Sequence, residues 1–524
     1  MSEQKITKLN YGYQITSITT FIRCLETHEA TNMKETIQSF EVTKGNKSGD
    51  LLSEMRRDQN LKVGLLTCGY FEYWRMYEGL REEVVQDMQT IADRLGKKHN
   101  IIYPGLVETL DSADDAGQIF KNEHIDILVI SQGTYCPDYF VHQALMHLAD
   151  DTSLICFASQ AHSNIDFNKG YDQSLRNSGP MGLIQLTGGL RKMGKFEKYE
   201  AISGAIDDDE VYEDIDRLIQ VFTTIRNLKN MTIGLVGHVF RGMYDFNFDK
   251  TSVTGMFGPH VMNINIDHLM TIYDENGDSD PRIKSLCEKS KSEYTVVNLE
   301  DEDIIRSARL GVALQDLVER YKLNGLVLLG QHHIEVKANA SCYLGLAEIL
   351  SNDQAIAVTE GDVLGCIFSK VLKDFTGHTA FFGEWEEIDK SLNAIMLLGH
   401  GFIDPRECRT DRPVYIKPAC ENWGFKGNSV GFEASYPPGP VTMTHAIQDA
   451  KGWRLLISEG ELLDTPSLKI NESSMIIKVE KPVRQYFEDL MHFGFSHHSI
   501  AAPGHVGKQL ECFARQLGMT VNWL

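Results

Sequence analysis

From Leu61 onward the chain alternates short apolar runs with longer segments whose apolar residues recur every three or four positions, a pattern few folds can satisfy. Leu61–Leu66 reads as a buried strand, and Leu80, Val84, Met88, Ile91 and Leu95 form one stripe at 4,4,3,4 spacing, the mark of an amphipathic helix. Ile125–Ile130 and Leu154–Phe157 continue the alternation as further strands, which predicts a parallel sheet covered by helices. A helix over 206–228 turns Val211, Ile215, Leu218, Phe222 and Ile225 inward, opens on acids and closes near Arg226 and Lys229, as its dipole favours. It leads into Met231–Gly237, the first strand of a second α/β unit that also holds Gly325–Leu329.

Beyond about residue 375 the helical period fades. Ala394–Leu398, Val414–Lys417, Val430–Ala434, Val441–Thr444, Arg454–Ser458 and Met475–Val479 are short strand candidates between Gly, Pro and Asn turns, with helices returning at 482–493 and 505–517. The fold class expected is α/β, with two Rossmann-like parallel-sheet domains followed by a mainly β C-terminal domain. The expected boundaries are an N-terminal extension at 1–60 and domains at 61–228, 229–375 and 376–524. A chain of 524 residues exceeds one ordinary core, in keeping with that division.

Composition narrows the function. A formal charge of −22 gives no counterion-release term for non-specific nucleic-acid binding. No apolar run approaches a membrane span or the core of a signal peptide, so no membrane partner and a cytoplasmic location are expected. The 10 cysteines include no Cys-x-x-Cys pair and read as small buried apolar residues. Neither first strand is followed by Gly-x-Gly-x-x-Gly, and no Gly-x-x-x-x-Gly-Lys-Ser/Thr occurs, so the α/β pattern does not signal nucleotide binding. The loop Gly237–Met243, after the first strand of the second unit, carries no phosphate cradle.

Four residues in the last third stand in distinctive settings: Glu360 in Thr359-Glu360-Gly361-Asp362, Glu384 in Phe382-Gly383-Glu384-Trp385, His400 in Leu398-Gly399-His400-Gly401, and His498 in His497-His498. Taken singly, Glu360 reads as a carboxylate at a helix start and His400 as a buried, satisfied histidine. Taken together, two carboxylates and two imidazoles suit a divalent ion such as Mn2+ and leave positions open for a substrate with adjacent hydroxyls.

In order along the chain, Glu-Gly-Asp, a second Glu after Phe-Gly, a His after Leu-Gly, the step Gly439-Pro440-Val441 and the terminal His-His pair resemble the L-arabinose isomerases of the L-arabinose/L-fucose isomerase superfamily. The resemblance runs from about residue 61 to the C-terminus and is specific at the motifs. It implies the sugar isomerase fold and an enzyme that converts aldose to ketose through a cis-enediol. It implies Mn2+ or another divalent cation on Glu360, Glu384, His400 and His498, with Glu360 and Glu384 as the acid/base pair and His497 beside the last ligand. Thr134-Tyr135-Cys136-Pro137 resembles a loop that walls the sugar site, with Tyr135 at its aromatic position, and Met243 resembles a methionine of the same pocket. A homo-oligomer, a hexamer, is implied too, with the N-terminal unit of one chain closing over the metal of another.

The sequence departs from the family in two segments that contact sugar. Thr67–Tyr73 replaces a Gly-Ser-Gln-His-Leu-Tyr-Gly segment, and Cys156–Gln160 replaces Gln-Phe-His-Thr-Gln. An altered sugar pocket follows, with an L-fucose-type or otherwise modified sugar as the alternative substrate to L-arabinose. A catalytically silent sugar-binding paralogue is the remaining reading, and the intact set of four ligands argues against it.

Overall fold

A computed structural model describes residues 61–149, 152–196, 198–277, 279–329 and 333–524. The expected extension at 1–60 lies outside the described residues. The first sheet holds β1 (Lys62–Cys68), β2 (Asn100–Ile102), β3 (Leu106–Val107), β4 (Ile127–Gln132), β5 (Ser153–Gln160) and β6 (Tyr199–Ala205). Its order is β2-β1-β4-β5-β6, with β3 also on β1, and every pairing is parallel. Parallel strands buried on both faces explain the apolar runs read from sequence. The stripe from Leu80 to Leu95 lies wholly buried on the helix Leu80–Leu95. In the helix Asp209–Lys229, Val211, Ile215 and Phe222 are buried and Leu218 and Ile225 pack against the core.

The second sheet comprises β7 (Thr232–Val236), β8 (His260–Ile264), β10 (Gly325–Leu328) and β11 (Ile356–Thr359), ordered β11-β10-β7-β8 and again parallel. The chain leaves the central strand β7 first toward β8 and later returns to fill the other side with β10 and β11. The loops after β7 and β10 therefore diverge and open a crevice at the carboxyl ends of the strands, where ligands of such sheets bind.

β9 (Thr295–Val296) joins β14 (Tyr415–Pro418) and β15 (Val430–Glu433) in a small sheet. The C-terminal part is a barrel of β12 (Phe381–Asp389), β13 (Ala394–Gly399), β16 (Gly439–Asp449), β17 (Gly452–Leu462), β18 (Ser474–Lys478) and β19 (His498–Pro503). The ring β16-β19-β12-β13-β18-β17 is antiparallel and closes through the β16–β17 hairpin, while β20 (Thr520–Trp523) adds to β17 in parallel. The expected class, parallel-sheet α/β units followed by a mainly β region, is thus the architecture found. Each of the six strand candidates after residue 375 falls on a strand, and the two late helices are Val483–Phe493 and Gly507–Leu517.

The second sheet and the barrel share one core. Phe257, Phe368 and Phe513, from three different helices, lie with ring centroids 5.9 to 6.5 Å apart, and Trp453 of β17 stands 5.0 Å from Phe257. Phe513 is fully buried. Phe513→Ala should destabilise the protein by about 3–5 kcal/mol, read as a fall in the urea midpoint at unchanged slope; a loss under 1 kcal/mol would show that this aromatic contact does not join the two parts.

Candidate metal and active site

Strand register assembles half of the site. β12 lies between β13 and β19, and its pairing sets Glu384 directly opposite His498 on one side and Leu398 on the other, two residues before His400. Opposed residues of an antiparallel pair present their side chains to one face. Glu384 and the two histidines therefore meet although 114 residues of chain separate the outer pair.

The other half comes from the parallel sheet. Glu360 follows β11 directly, is 3% exposed, and has φ of 62°, as Gly361 has φ of 82°. Left-handed backbone is uncommon for a residue with a side chain, and such strain clusters at functional sites. Here the turn reverses the chain between β11 and the helix Val363–Thr376, whose N-terminus Asp362 caps by accepting from Gly365 N–H at 2.7 Å.

The loop after β7 is laid across this turn. Phe240 N–H donates to Glu360 O at 2.9 Å. A Cβ on Gly361 would lie 2.5 Å from Val239 Cα and 2.7 Å from His238 O, so only glycine permits the approach. Further along, Asp245 Oδ2 accepts from His497 Nδ1 at 2.6 Å, His497 N–H at 3.0 Å and Ser496 Oγ at 3.3 Å. The Phe246 ring stacks on His498 with centroids 4.6 Å apart. Half-buried Met243 lies on the span between these two anchors.

Four residues, Glu360, Glu384, His497 and His498, bring one ligand atom each within 4.8 Å of one another. His498 Nε2 is 3.2 Å from Glu360 Oε2 and 3.9 Å from Glu384 Oε1, and His497 Nε2 is 3.6 Å from Glu384 Oε1. Both rings are held by a carboxylate on the far nitrogen, His497 by Asp245 and His498 by Asp362 at 2.9 Å. A carboxylate on one imidazole nitrogen fixes the tautomer that offers the other to a metal. His400 stands at the edge of this group. Its Nε2 is 3.1 Å from Glu384 Oε1 without hydrogen-bond alignment, and among the described residues this buried nitrogen has no hydrogen-bond partner. Beside that carboxylate it is suited to a metal ion shared with Glu384, and the donor set as a whole fits a divalent cation.

Charge around the cluster is finely set. Burial alone would raise the Glu384 carboxyl, but His400 and His497 beside it hold it well below the ordinary carboxylate range. Burial disfavours the charged His497 ring, yet Asp245 and Glu384 outweigh this and push it up to about 10. His498 is raised in the same way against its burial, by Asp362 and Glu360. Behind His400, Glu472 accepts from Gly401 N–H at 2.8 Å and Ser473 N–H at 3.0 Å, while burial pushes its carboxyl up to about 7.

Of the residues read from sequence, Glu360, Glu384, His400 and His498 are brought together. His497, expected only as a neighbour, enters the group of four that His400 borders. Tyr135 bonds within its own part of the fold: its OH donates to Gln185 Oε1 at 2.9 Å and its N–H to Ser178 Oγ at 2.7 Å. Thr134 Oγ1 accepts from Tyr70 N–H at 3.1 Å, joining the two loops at the carboxyl edge of the first sheet. Sequence reading gave no role to Asp245, Asp362 or His445. Asp245 is offered by the loop at the carboxyl end of β7, the one signal that could have drawn attention to it.

Residues 413–524 match the family described as L-fucose isomerase, C-terminal domain. A sulfoquinovose isomerase from Alkalicoccus urumqiensis is 23% identical over 359 residues, covering 66% of this chain and 76% of that protein. These similarities lie with L-fucose isomerase-like sugar isomerases, and neither is to an arabinose isomerase. No helix among the described residues is long and apolar enough to cross a membrane.

Glycine 361 offers a direct test of the loop contact. Gly361→Ala should lower activity more than tenfold, because its Cβ meets the His238–Val239 backbone, whereas Gly377→Ala, also at positive φ (77°) but with nothing within 4 Å among the described residues, should lose only about 1 kcal/mol of stability and keep activity. Equal activities in a steady-state assay would show that the approach of Val239 to Gly361 does not shape the site.

Proposed function

We propose that the protein is a divalent-metal-dependent aldose–ketose isomerase acting on a free sugar at the Glu360, Glu384, His400, His497 and His498 cluster. The observation that carries this reading is the convergence of two carboxylates with histidine Nε2 atoms, two of those rings being aimed by carboxylates behind them. The matches to an L-fucose isomerase domain and to a sulfoquinovose isomerase support the reaction class.

Isomerisation moves one proton between C1 and C2 and another between their oxygens, through a cis-enediol. When bound, a dication supplies polarisation of the carbonyl and of the neighbouring hydroxyl. Glu360 and Glu384 are the groups able to carry the two protons, one serving carbon and the other oxygen. Their surroundings differ, since Glu360 is nearly inaccessible against His498 while Glu384 keeps a quarter of its side chain exposed between His400 and His497. Unequal environments of this kind let paired carboxylates take different roles. Asp245 and Asp362 keep both rings of the terminal pair in place, and the loop over Gly361 covers the turn that carries Glu360.

Mn2+ is the proposed ion, given the mixed carboxylate and imidazole donors. Chelation and dialysis should abolish turnover, with Mn2+ restoring it better than Mg2+. Glu360→Gln and Glu384→Gln should each lose about 10²-fold or more in kcat with metal bound. Metal-free enzyme at full rate, or a glutamine variant near wild-type kcat, would overturn the reading.

The sugar is proposed to differ from L-arabinose at its C4–C6 end. The segments around Tyr70 and Ala158 replace the glutamine and histidine of the arabinose isomerases, and Tyr70 packs edge-on to Phe71 and Tyr73. A pocket that loses a hydrogen-bonding partner discriminates against a sugar hydroxyl by about 1–3 kcal/mol. The similarity to a sulfoquinovose isomerase points the same way, toward a hexose altered at C6. Because the Tyr70 and Tyr135 loops sit at the edge of the first sheet, a homo-oligomer in which one chain's first unit closes over another's metal is part of this proposal. Across L-arabinose, L-fucose, D-glucose and sulfoquinovose, kcat/KM should be lowest for the pentose; an optimum on L-arabinose would contradict the pocket assignment.

A further inference from the structure

Arg241 stands apart from the other arginines of the chain. Every other arginine among the described residues sets its guanidinium against a carboxylate, a carbonyl or a hydroxyl of the protein. Arg241 is exposed and has no such partner among them. Acids are not scarce, since Asp and Glu outnumber Lys and Arg by 73 to 51. The acids of its own loop are engaged elsewhere: Asp245 accepts from His497 and Ser496, and Asp249 accepts from Thr251 Oγ1 and Ser252 N–H.

The backbone displays this side chain in a fixed place. Met243 N–H donates to Phe240 O at 3.4 Å and Gly242 has φ of 91°, the marks of a type II turn with Arg241 at its second position. The base of the turn is held, because Phe240 N–H donates to Glu360 O at 2.9 Å and the Phe240 ring stands edge-on to Trp423 with centroids 5.9 Å apart. Its tip is open, for a Cβ on Gly242 would meet nothing within 4 Å among the described residues. The turn belongs to the loop after β7, at the carboxyl edge where such sheets bind ligands. A free guanidinium is thus placed one residue from a contact with a proposed metal ligand.

Guanidinium offers only donors, in a planar fork that matches the paired oxygens of an oxyanion. The hydroxyls of a sugar do not need it, whereas an acidic substituent does, and charge-assisted pairs of this kind are stronger than neutral hydrogen bonds. A chain of net charge −22 repels an anion at long range, so a substrate that carries one needs a local cation at the site. We infer that Arg241 is a specificity-determining residue that binds an oxyanion, a sulfonate, carboxylate or phosphate, at the C6 end of a hexose. This rests on the function proposed above, in which the metal cluster holds C1 and C2 and leaves the far end of the sugar to the surrounding loops.

The test compares kcat/KM, at saturating Mn2+, for sulfoquinovose, D-glucuronate and D-glucose 6-phosphate with that for D-glucose, from which each differs only at C6. Wild type, Arg241→Gln and Arg241→Lys are assayed as full-length proteins. Wild type is expected to prefer one of the three anions over D-glucose by more than tenfold, which identifies the group. In Arg241→Gln that ratio should fall by about 10–100-fold, mainly through KM, and Arg241→Lys should recover part of it by keeping the charge without the fork. Preference for D-glucose over all three anions would overturn the inference. So would an equal fall on charged and neutral sugars, the result expected if Arg241 instead meets an acid of a second copy of the chain. The alditols of the same four sugars, which have no carbonyl to isomerise, give the comparison without turnover: isothermal titration should show tenfold or greater weakening in Arg241→Gln for the charged alditol relative to D-glucitol. No turnover of any sugar by the wild type would sink the proposed function, and the alditol result would still judge Arg241.

Discussion

The carboxylate of Asp362 is the joint on which the site depends. Through three accepted hydrogen bonds it ties the N-terminus of the helix Val363–Thr376 to two strands of the barrel. The residue two before it, Glu360, is consequently held at a fixed distance from His498, the residue that Asp362 also orients. Burial would raise this carboxyl, but His445 and His498 overcome burial and hold it far below the ordinary carboxylate range. A single buried anion thus sets the relation between two parts of the molecule whose backbones are built on different principles, one parallel and covered by helices, the other antiparallel and closed.

Each part contributes what its geometry does well. Parallel strands end together, so loops leaving their carboxyl edge gather in one crevice, and the turn at Glu360–Gly361 and the loop Gly237–Phe246 come from that edge. Antiparallel strands place chosen side chains opposite one another with little freedom, which puts Glu384 between His498 and the strand that leads to His400. The site needs both, because a metal site demands several donors within a few ångströms and a strand pair alone supplies too few. The shared aromatic core around Phe513 keeps the halves from drifting apart.

Much of this was legible in the residues. The Leu80–Leu95 stripe and the apolar runs at Ile125 and Met231 carry strong periods, since burial on both faces of a parallel sheet leaves no polar positions to blur them. The strands that bear the site were harder to see. β12 runs from Phe381-Phe382-Gly383 into the exposed acids Glu386, Glu387 and Asp389, and β19 begins at a histidine pair, so neither shows a clean alternation. The ordered motifs found Glu360, Glu384, His400 and His498, whereas the place of His497 depended on where β19 starts: His497 precedes the strand and is free to turn toward Glu384 with its neighbour. Asp245, marked only by its place in the loop after β7, and His445 were harder to see for a different reason. Their partners lie 252 and 83 residues away, and no local pattern marks a carboxylate or a buried strand histidine as the support of a distant ring.

The central claim is that these side chains share one divalent ion. Diffraction data collected on either side of the manganese absorption edge from crystals grown with Mn2+ test it most directly. The account predicts a single strong anomalous peak bounded by Glu360, Glu384 and His498 Nε2, at about 2.0–2.3 Å from each, with the His498 Nδ1 to Asp362 contact retained. Absence of a peak at saturating Mn2+, or a peak elsewhere in the molecule, would contradict it.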